Sequence, residues 1–233
     1  MTVTVTITGA DDAVDAGSDG TGAVTEDAST STATGSVSAT DADADAAFTY
    51  AIGTAAGTYG SLAMSGADWT YTLDNSDADT TALDAGDSVT DTFTITVTET
   101  DSSATDTMTV TITITGADDA VDAGSSQTGA VTEDASTSTA TGTVAATDAD
   151  ADAAFTYAIG TASGTYGSLA MSGAGWTYTL DNSDADTTAL DAGDSVTDAF
   201  TITVTETDSS ATDTMTVTIT ITCLLYTSDA ADE

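Results

Sequence analysis

The chain of 233 residues carries 39 acidic side chains and no lysine, arginine or histidine, so its formal charge of -39 has no cationic side chain to neutralise it. That balance excludes nucleic acid and anionic membrane surfaces as partners, because the electrostatic attraction that draws basic proteins to phosphate is reversed here. With a single cysteine, Cys223, it also removes imidazole metal sites, phosphate-binding lysines and most nucleophile–base pairs.

In chain order, Met1 to Thr8 (MTVTVTIT) sets Val3, Val5 and Ile7 on one face and threonines on the other, the period of two that marks a half-buried strand. A loop rich in Asp, Ala and Gly leads to a short strand near Ala23 to Glu26 and a second over Thr34 to Thr40 around Val37. Ala47 to Ile52 carries Phe48, Tyr50 and Ile52 on one face, and Gly57 to Met64 adds Tyr59 and Leu62 between glycine turns. Trp69, Tyr71 and Leu73 then alternate with Thr70 and Thr72. Asp74 to Asp87 loosens into a turn region with room for one helical turn, anchored by Leu83. Two long strands follow: Ser88 to Thr98, with Val89, Asp91, Phe93, Ile95 and Val97 on one face, and Thr105 to Thr115, with Met108, Val110, Ile112 and Ile114.

The string TVTITGADDAVDAG at Thr4 to Gly17 then returns as TITITGADDAVDAG at Thr111 to Gly124, with Gly9 and Gly116 separated by 107 residues. Laying residues 9–115 over 116–222 leaves seven mismatches: Asp19/Ser126, Gly20/Gln127, Ser36/Thr143, Ser38/Ala145, Ala56/Ser163, Asp68/Gly175 and Thr92/Ala199. A period this long means whole domains in tandem, each large enough to bury roughly two-thirds of its unfolded surface. About seven strands per unit, separated by turn signals, predict an all-β fold of tandem immunoglobulin-like β-sandwiches over 9–115 and 116–222. The aromatics, including Trp69 and Trp176, are expected in the cores. Residues 1–8 read as the last strand of a preceding, truncated repeat, and Met1 holds the repeat position of Met108 and Met215. After Thr222 the period requires GADDA, but the chain reads CLLYTSDAADE, which resembles the translation of a sequencing-library transposon adapter. Residues 223–233 are therefore expected to be a non-native tail, and both ends to be cut from something longer.

Oxygen is the ligand type that remains, and hard oxygen donors select calcium. Asp41, Asp43 and Asp45 (TDADADA), repeated as Asp148, Asp150 and Asp152, fall on every second residue, so extended backbone sets their carboxylates on one side about 6 to 7 Å apart. An EF-hand is ruled out, since Ala46 stands where its glycine belongs and Ile52 where its bidentate glutamate belongs. A second cluster sits at the joint between units, Asp11, Asp12 and Asp15, repeated as Asp118, Asp119 and Asp122. A third is Glu26 with Asp27, repeated as Glu133 and Asp134. A fourth, Glu99 with Asp101 and its copy Glu206 with Asp208, reads as a solvated acidic loop. The joint and the DADAD run are the expected calcium sites, because like charges about 7 Å apart repel by roughly 0.6 kcal/mol even in water and need a counter-ion. Two carboxylates acting as acid and base are the remaining catalytic option. The acids are spread over every loop, with none expected in an apolar pocket that would raise its pKa, so no enzyme is expected.

The combination ITGADDA, AVTEDAS, ATDADADAAF, GTYGSLAMSGADWTYTLDN, LDAGDSVTDTFTITVTETD and MTVTITITGADDA resembles the VCBS repeat of very large bacterial surface proteins and adhesins, over nearly all of residues 1–222. The resemblance implies cadherin-like or immunoglobulin-like sandwiches used in series between a cell anchor and a distal binding domain, outside the cell, often with calcium at the joints. It also implies that an early glutamate, the acidic linker and a D-x-D pair meet: Glu26, Asp11, Asp12, Asp41 and Asp43, then Glu133, Asp118, Asp119, Asp148 and Asp150. Where members of the family read NDAP, this chain has Asp11-Asp12-Ala13-Val14 and lacks the proline that would fix one φ angle.

Three functions fit these observations: a non-catalytic spacer stiffened by calcium, with neighbouring repeats and calcium as its partners; a salt-adapted acidic domain with no specific ion site; and an acidic module for mineral or carbohydrate surfaces. No run of about 18 apolar residues provides a membrane span and no basic segment opens a signal peptide. With no lysine or arginine, the chain is expected to survive trypsin both folded and in urea. A protease specific for acidic residues should cut the unfolded form, as gel electrophoresis of the two digests would show.

Overall fold

A computed structural model describes residues 1–43, 46–151 and 153–223. The chain divides into two compact units, Met1–Asp118 and Asp119–Glu233. The first contains β1 (Gly20–Thr25), β2 (Thr32–Ser36), β3 (Phe48–Ile52), β4 (Gly60–Ser65), β5 (Asp68–Leu73), β6 (Ser88–Glu99) and β7 (Thr105–Thr115). They form a four-stranded sheet in the order β1-β7-β6-β3 and a three-stranded sheet in the order β2-β5-β4. The second unit repeats this with β8 (Gln127–Thr132), β9 (Thr139–Thr143), β10 (Phe155–Ile159), β11 (Gly167–Ser172), β12 (Gly175–Leu180), β13 (Ser195–Glu206) and β14 (Thr212–Thr222). Its sheets run β10-β13-β14-β8 and β11-β12-β9. The architecture is the all-β sandwich expected from the strand spacing.

Alternation decides which face is buried. On β7, Met108, Val110, Ile112 and Ile114 are buried, while the intervening threonines lie opposite threonines of β6, as in Thr94↔Thr109 and Thr96↔Thr107. β-branched side chains suit both faces of such a sheet, apolar inward and hydroxyl outward. The core gathers Trp69, Tyr71, Leu73, Phe93, Ile95 and Val97 against these residues, with the rings of Tyr71 and Phe93 5.8 Å apart. In the turn region Leu83 is buried, and the second unit forms the expected helical turn at α1 (Ala185–Thr188), where the Asp184 side chain caps Asp186 N–H.

One feature departs from the sequence reading, and a second lies beyond it. Residues 1–8 form no strand, and Val3, Val5 and Ile7 are exposed, although they nearly duplicate Met108 to Thr115. The duplicate is held between β6 and β1, and the apolar pattern of a strand is stable only with hydrogen-bonded neighbours, which residues 1–8 lack among the described residues. Second, β1 pairs with β7 in parallel, from Gly20↔Val110 to Thr25↔Thr115. The chain crosses from β1 in one sheet to β2 in the other, so the first strand closes the edge of the last.

Asp91 sits in mid-β6 on the core-facing side and is buried. Its carboxylate accepts hydrogen bonds from Thr58 N–H at 2.8 Å, Tyr59 N–H at 3.1 Å and the Tyr71 hydroxyl at 2.9 Å. A Cβ on Gly57 would lie 2.2 Å from Asp91 Oδ2, so only glycine lets the GTYG loop close onto the acid. Burial, with the hydrogen bond to Asp91 and its charge, raises the Tyr71 pKa far above the ordinary phenol range and keeps it a donor. Asp198 holds Thr165, Tyr166 and Tyr178 in the same way in the second unit. Removing the acid strands a buried hydroxyl and two part-buried N–H groups, so Asp91→Ala is expected to destabilise the first unit by about 3 kcal/mol. Urea unfolding would measure it, and Tyr71→Phe, which leaves the loop bonds intact, should cost clearly less.

Candidate metal centre

Strand direction sorts the acids of each unit onto two ends. β6 is antiparallel to β7, so Glu99, the last residue of β6, lies beside the start of β7. Phe48 pairs with Glu99 and Thr100 N–H donates to Ala47 O at 2.9 Å, which brings the loop before β3 to the same end. The incoming linker arrives there too, as Asp12 N–H donates to Asp43 Oδ2 at 3.1 Å. At this incoming end, Asp11, Asp43 and Glu99 each present a carboxylate oxygen within 4.8 Å of the others.

Glu99 is 1% exposed. Ser102 Oγ donates to its Oε2, and Ala104 N–H donates to Ser102 Oγ at 3.0 Å. Its Oε1 and the Asp41 Oδ2 are buried and have no hydrogen-bond partner. Asp43 N–H donates to Asp41 Oδ1 at 2.9 Å, which fixes the DAD loop as a turn. The Ser102 hydrogen bond pulls the Glu99 pKa down, but burial and the charges of Asp41, Asp101 and Asp11 together outweigh it and leave the pKa raised. The second unit repeats the arrangement: oxygens of Asp148, Asp150 and Glu206 lie within 4.8 Å of one another. There Asp119 N–H donates to Asp150 Oδ2 at 3.0 Å, Ser209 Oγ donates to Glu206 Oε2, and the Asp148 Oδ2 is buried without a partner.

The structure thus joins part of the expected set and separates the rest. Asp11, Asp43, Asp148 and Asp150 are in the clusters, with Asp41 beside the first. Asp12 and Asp119 contribute backbone N–H groups to the cluster acids. Glu26 does not meet Asp11, Asp41 and Asp43. Because β1 runs parallel to β7, Glu26 emerges at the outgoing end, where its N–H donates to Thr115 O at 2.9 Å and its Oε2 accepts from Ala117 N–H. Glu133 takes the same place beside Thr222. Asp118, at the outgoing end of the first unit, has a carboxylate oxygen within 4.8 Å of one on Asp84. Asp122 joins no such group among the described residues: its Oδ1 accepts from Gly124 N–H at 2.7 Å and closes its own turn. Asp45 and Asp152 lie outside the described residues.

The acids that the sequence reading left in solvent, Glu99 and Glu206, are the most buried members of their clusters. The signal was present: the inward series Phe93, Ile95, Val97 continues in steps of two to Glu99. The donor set is entirely hard oxygen, three carboxylates face one point, and buried lone pairs go unused, so these residues fit a calcium ion.

The family model for the bacterial cadherin-like domain matches residues 10–116. No curated protein matches the chain. Among solved structures it is similar to the extracellular domain of protocadherin gamma B4, with 18% identity and a TM-score of 0.47, over 90% of this chain and 35% of that one. Against mouse clustered PcdhgC3 EC1-3 the identity is 16% and the TM-score 0.46, over 92% and 69% of the two chains. An endo-fucoidan hydrolase of glycoside hydrolase family 107 matches with 17% identity and a TM-score of 0.35, over 92% of this chain and 29% of that one.

A raised carboxylate pKa in the folded state means that the folded unit holds the proton more tightly than the unfolded chain. Its stabilisation is complete below the unfolded pKa and disappears as pH rises through the folded one. In EDTA, Glu99→Gln is therefore expected to melt above the wild type at neutral pH, the difference closing toward about pH 4. Asp106 shifts the opposite way, its pKa lowered by the hydrogen bonds from Ala16 N–H and Thr107 N–H, and it cancels in that comparison. A variant that melts below the wild type at neutral pH would refute the buried-charge account.

Proposed function

We propose, from the match of residues 10–116 to the model of the bacterial cadherin-like domain, that the chain is a stretch of non-catalytic structural repeats of the VCBS kind, part of a large extracellular bacterial adhesin. The observation that carries this reading is Glu99, a carboxylate sealed at the end of a strand, facing Asp11 and Asp43 in a chain without one cationic side chain. Asp11, Asp41, Asp43 and Glu99 in the first unit, with Asp148, Asp150 and Glu206 in the second, would hold calcium. Asp84 and Asp118 present a second pair of facing carboxylates at the outgoing end, where Glu26 also emerges. Bound calcium supplies positive charge where the chain has none.

The chain's own groups prepare the site. Asp12 N–H and Asp43 N–H orient the DAD carboxylates, and Ser102 holds one Glu99 oxygen so that the other faces inward. Because Asp11 belongs to the linker and Glu99 to a core strand, a shared ion ties the linker to the sandwich that it enters. Repeated along many units, that restriction makes a spacer whose useful property is length. The near-identity of the two units agrees with copy number as a useful quantity of the array.

Calcium that binds only the folded form adds about 2.7 kcal/mol per site at a hundredfold excess over Kd. The chain is expected to melt higher in millimolar calcium than in EDTA at equal ionic strength, and its small-angle scattering should show reduced motion of the linker. The double variant Glu99→Gln, Glu206→Gln should lose the calcium response. Identical melting and scattering in calcium and EDTA would overturn the proposal, and stabilisation by molar NaCl alone would establish the salt-adapted reading in its place.

A further inference from the structure

The two units are internal controls for each other, and the Gly20/Gln127 difference alters the surroundings of a buried polar group. Trp69 in β5 and Trp176 in β12 are equivalent and each 2% exposed. In the second unit Trp176 Nε1 donates to Gln127 Oε1 at 2.8 Å, and Gln127 Nε2 donates to Thr143 O at 2.6 Å. A carboxamide is thus clamped between an indole N–H and a strand carbonyl. In the first unit Gly20 stands where Gln127 does, and Trp69 Nε1 is buried with no hydrogen-bond partner.

A pocket of about 360 Å³ lies over this tryptophan, lined by Gly20 and Gly35 and by Ser18, Asp19, Thr21, Thr34, Ser36 and Ser38. The Gly35 backbone packs directly on the ring, since a Cβ there would overlap Trp69 Cζ2. A Cβ on Gly20 would stand 3.3 Å from Met108 Cε and Val110 Cγ2 and 3.4 Å from Trp69 Cζ2, so these side chains must give slightly to admit in the first unit the side chain that the second unit carries as Gln127. An indole N–H only donates, and an amide offers it a carbonyl acceptor while its own N–H can reach the Ser36 carbonyl, the counterpart of Thr143.

We propose that the pocket over Trp69 binds a neutral amide-bearing sugar, an N-acetylhexosamine residue of a glycan, whose acetamido group takes the place that the Gln127 carboxamide fills in the second unit. The pocket falls in the size range of small-ligand sites and exceeds what one amide needs. The rest of its lining is hydroxyl and carboxylate, which suits ring hydroxyls. Anionic sugars are disfavoured by the charge of -39. This site is independent of the calcium reading.

The experiment is a titration of the ¹⁵N-labelled full chain with N-acetylglucosamine, following the two indole N–H cross-peaks. The Trp69 peak is expected to shift saturably and the Trp176 peak to stay. Glucose, which lacks the acetamido group, should shift neither, and Gly20→Gln should abolish the Trp69 response while leaving that unit folded. No shift with N-acetylglucosamine, an equal shift with glucose, or an undiminished response in Gly20→Gln would overturn the proposal. Acetamide binding as tightly as the sugar would show that the hydroxyl lining contributes nothing, and would overturn the assignment of a sugar.

Discussion

Every carboxylate in this protein must be neutralised or solvated by something other than a cationic side chain, and the structure is organised around that constraint. Backbone N–H groups take the largest share. They hold Asp91 beneath the GTYG loop, Asp106 against Ala16, and Asp15, Asp74, Asp77 and Asp122 in short turns. Hydroxyls take the next share, from Tyr71 to Asp91 and from Ser102 to Glu99. A carboxylate bonded in this way is a reliable loop anchor, because each N–H to an ionised acceptor is stronger than a neutral pair. What is left over is the group of acids at the ends of each unit, where oxygens face oxygens.

The segregation of those acids follows from strand direction. The parallel β1–β7 pair carries Glu26 to one end of the sandwich, and the antiparallel β6–β7 pair carries Glu99 to the other. Each linker therefore meets a different acidic set on arrival and on departure. Sequence distance is a poor guide to this arrangement: Asp11 and Glu99 lie far apart along the chain and bring their oxygens together, whereas Glu26 and Asp41 are close in sequence and emerge at opposite ends.

Much of the fold was legible because threonine alternates with Val, Ile and aromatic residues so regularly that each inward face could be counted. Strand number, the core list and the helical turn after Asp181 follow from that pattern. The parallel pairing of β1 was not legible, since GTGAVT carries no information about its neighbour. Residues 1–8 show the limit from the other side: MTVTVTIT has the strand pattern in full and still forms none, because a strand is a property of a pair. Of the candidate site, the DADAD run and the linker were visible as local density of charge. Glu99 was obscured by the same density, read as solvent-facing although its place in the β6 alternation turned it inward.

The parallel pairing of β1 with β7 also decides how a unit answers tension along the chain. Its first strand is pulled toward one end and its last toward the other, so the two slide against each other lengthwise. The register from Gly20↔Val110 to Thr25↔Thr115 then bears the load along its whole length at once, in shear, and does not peel open one bond at a time. Resistance to pulling is in this way separated from equilibrium stability and set by the barrier to that first sliding step.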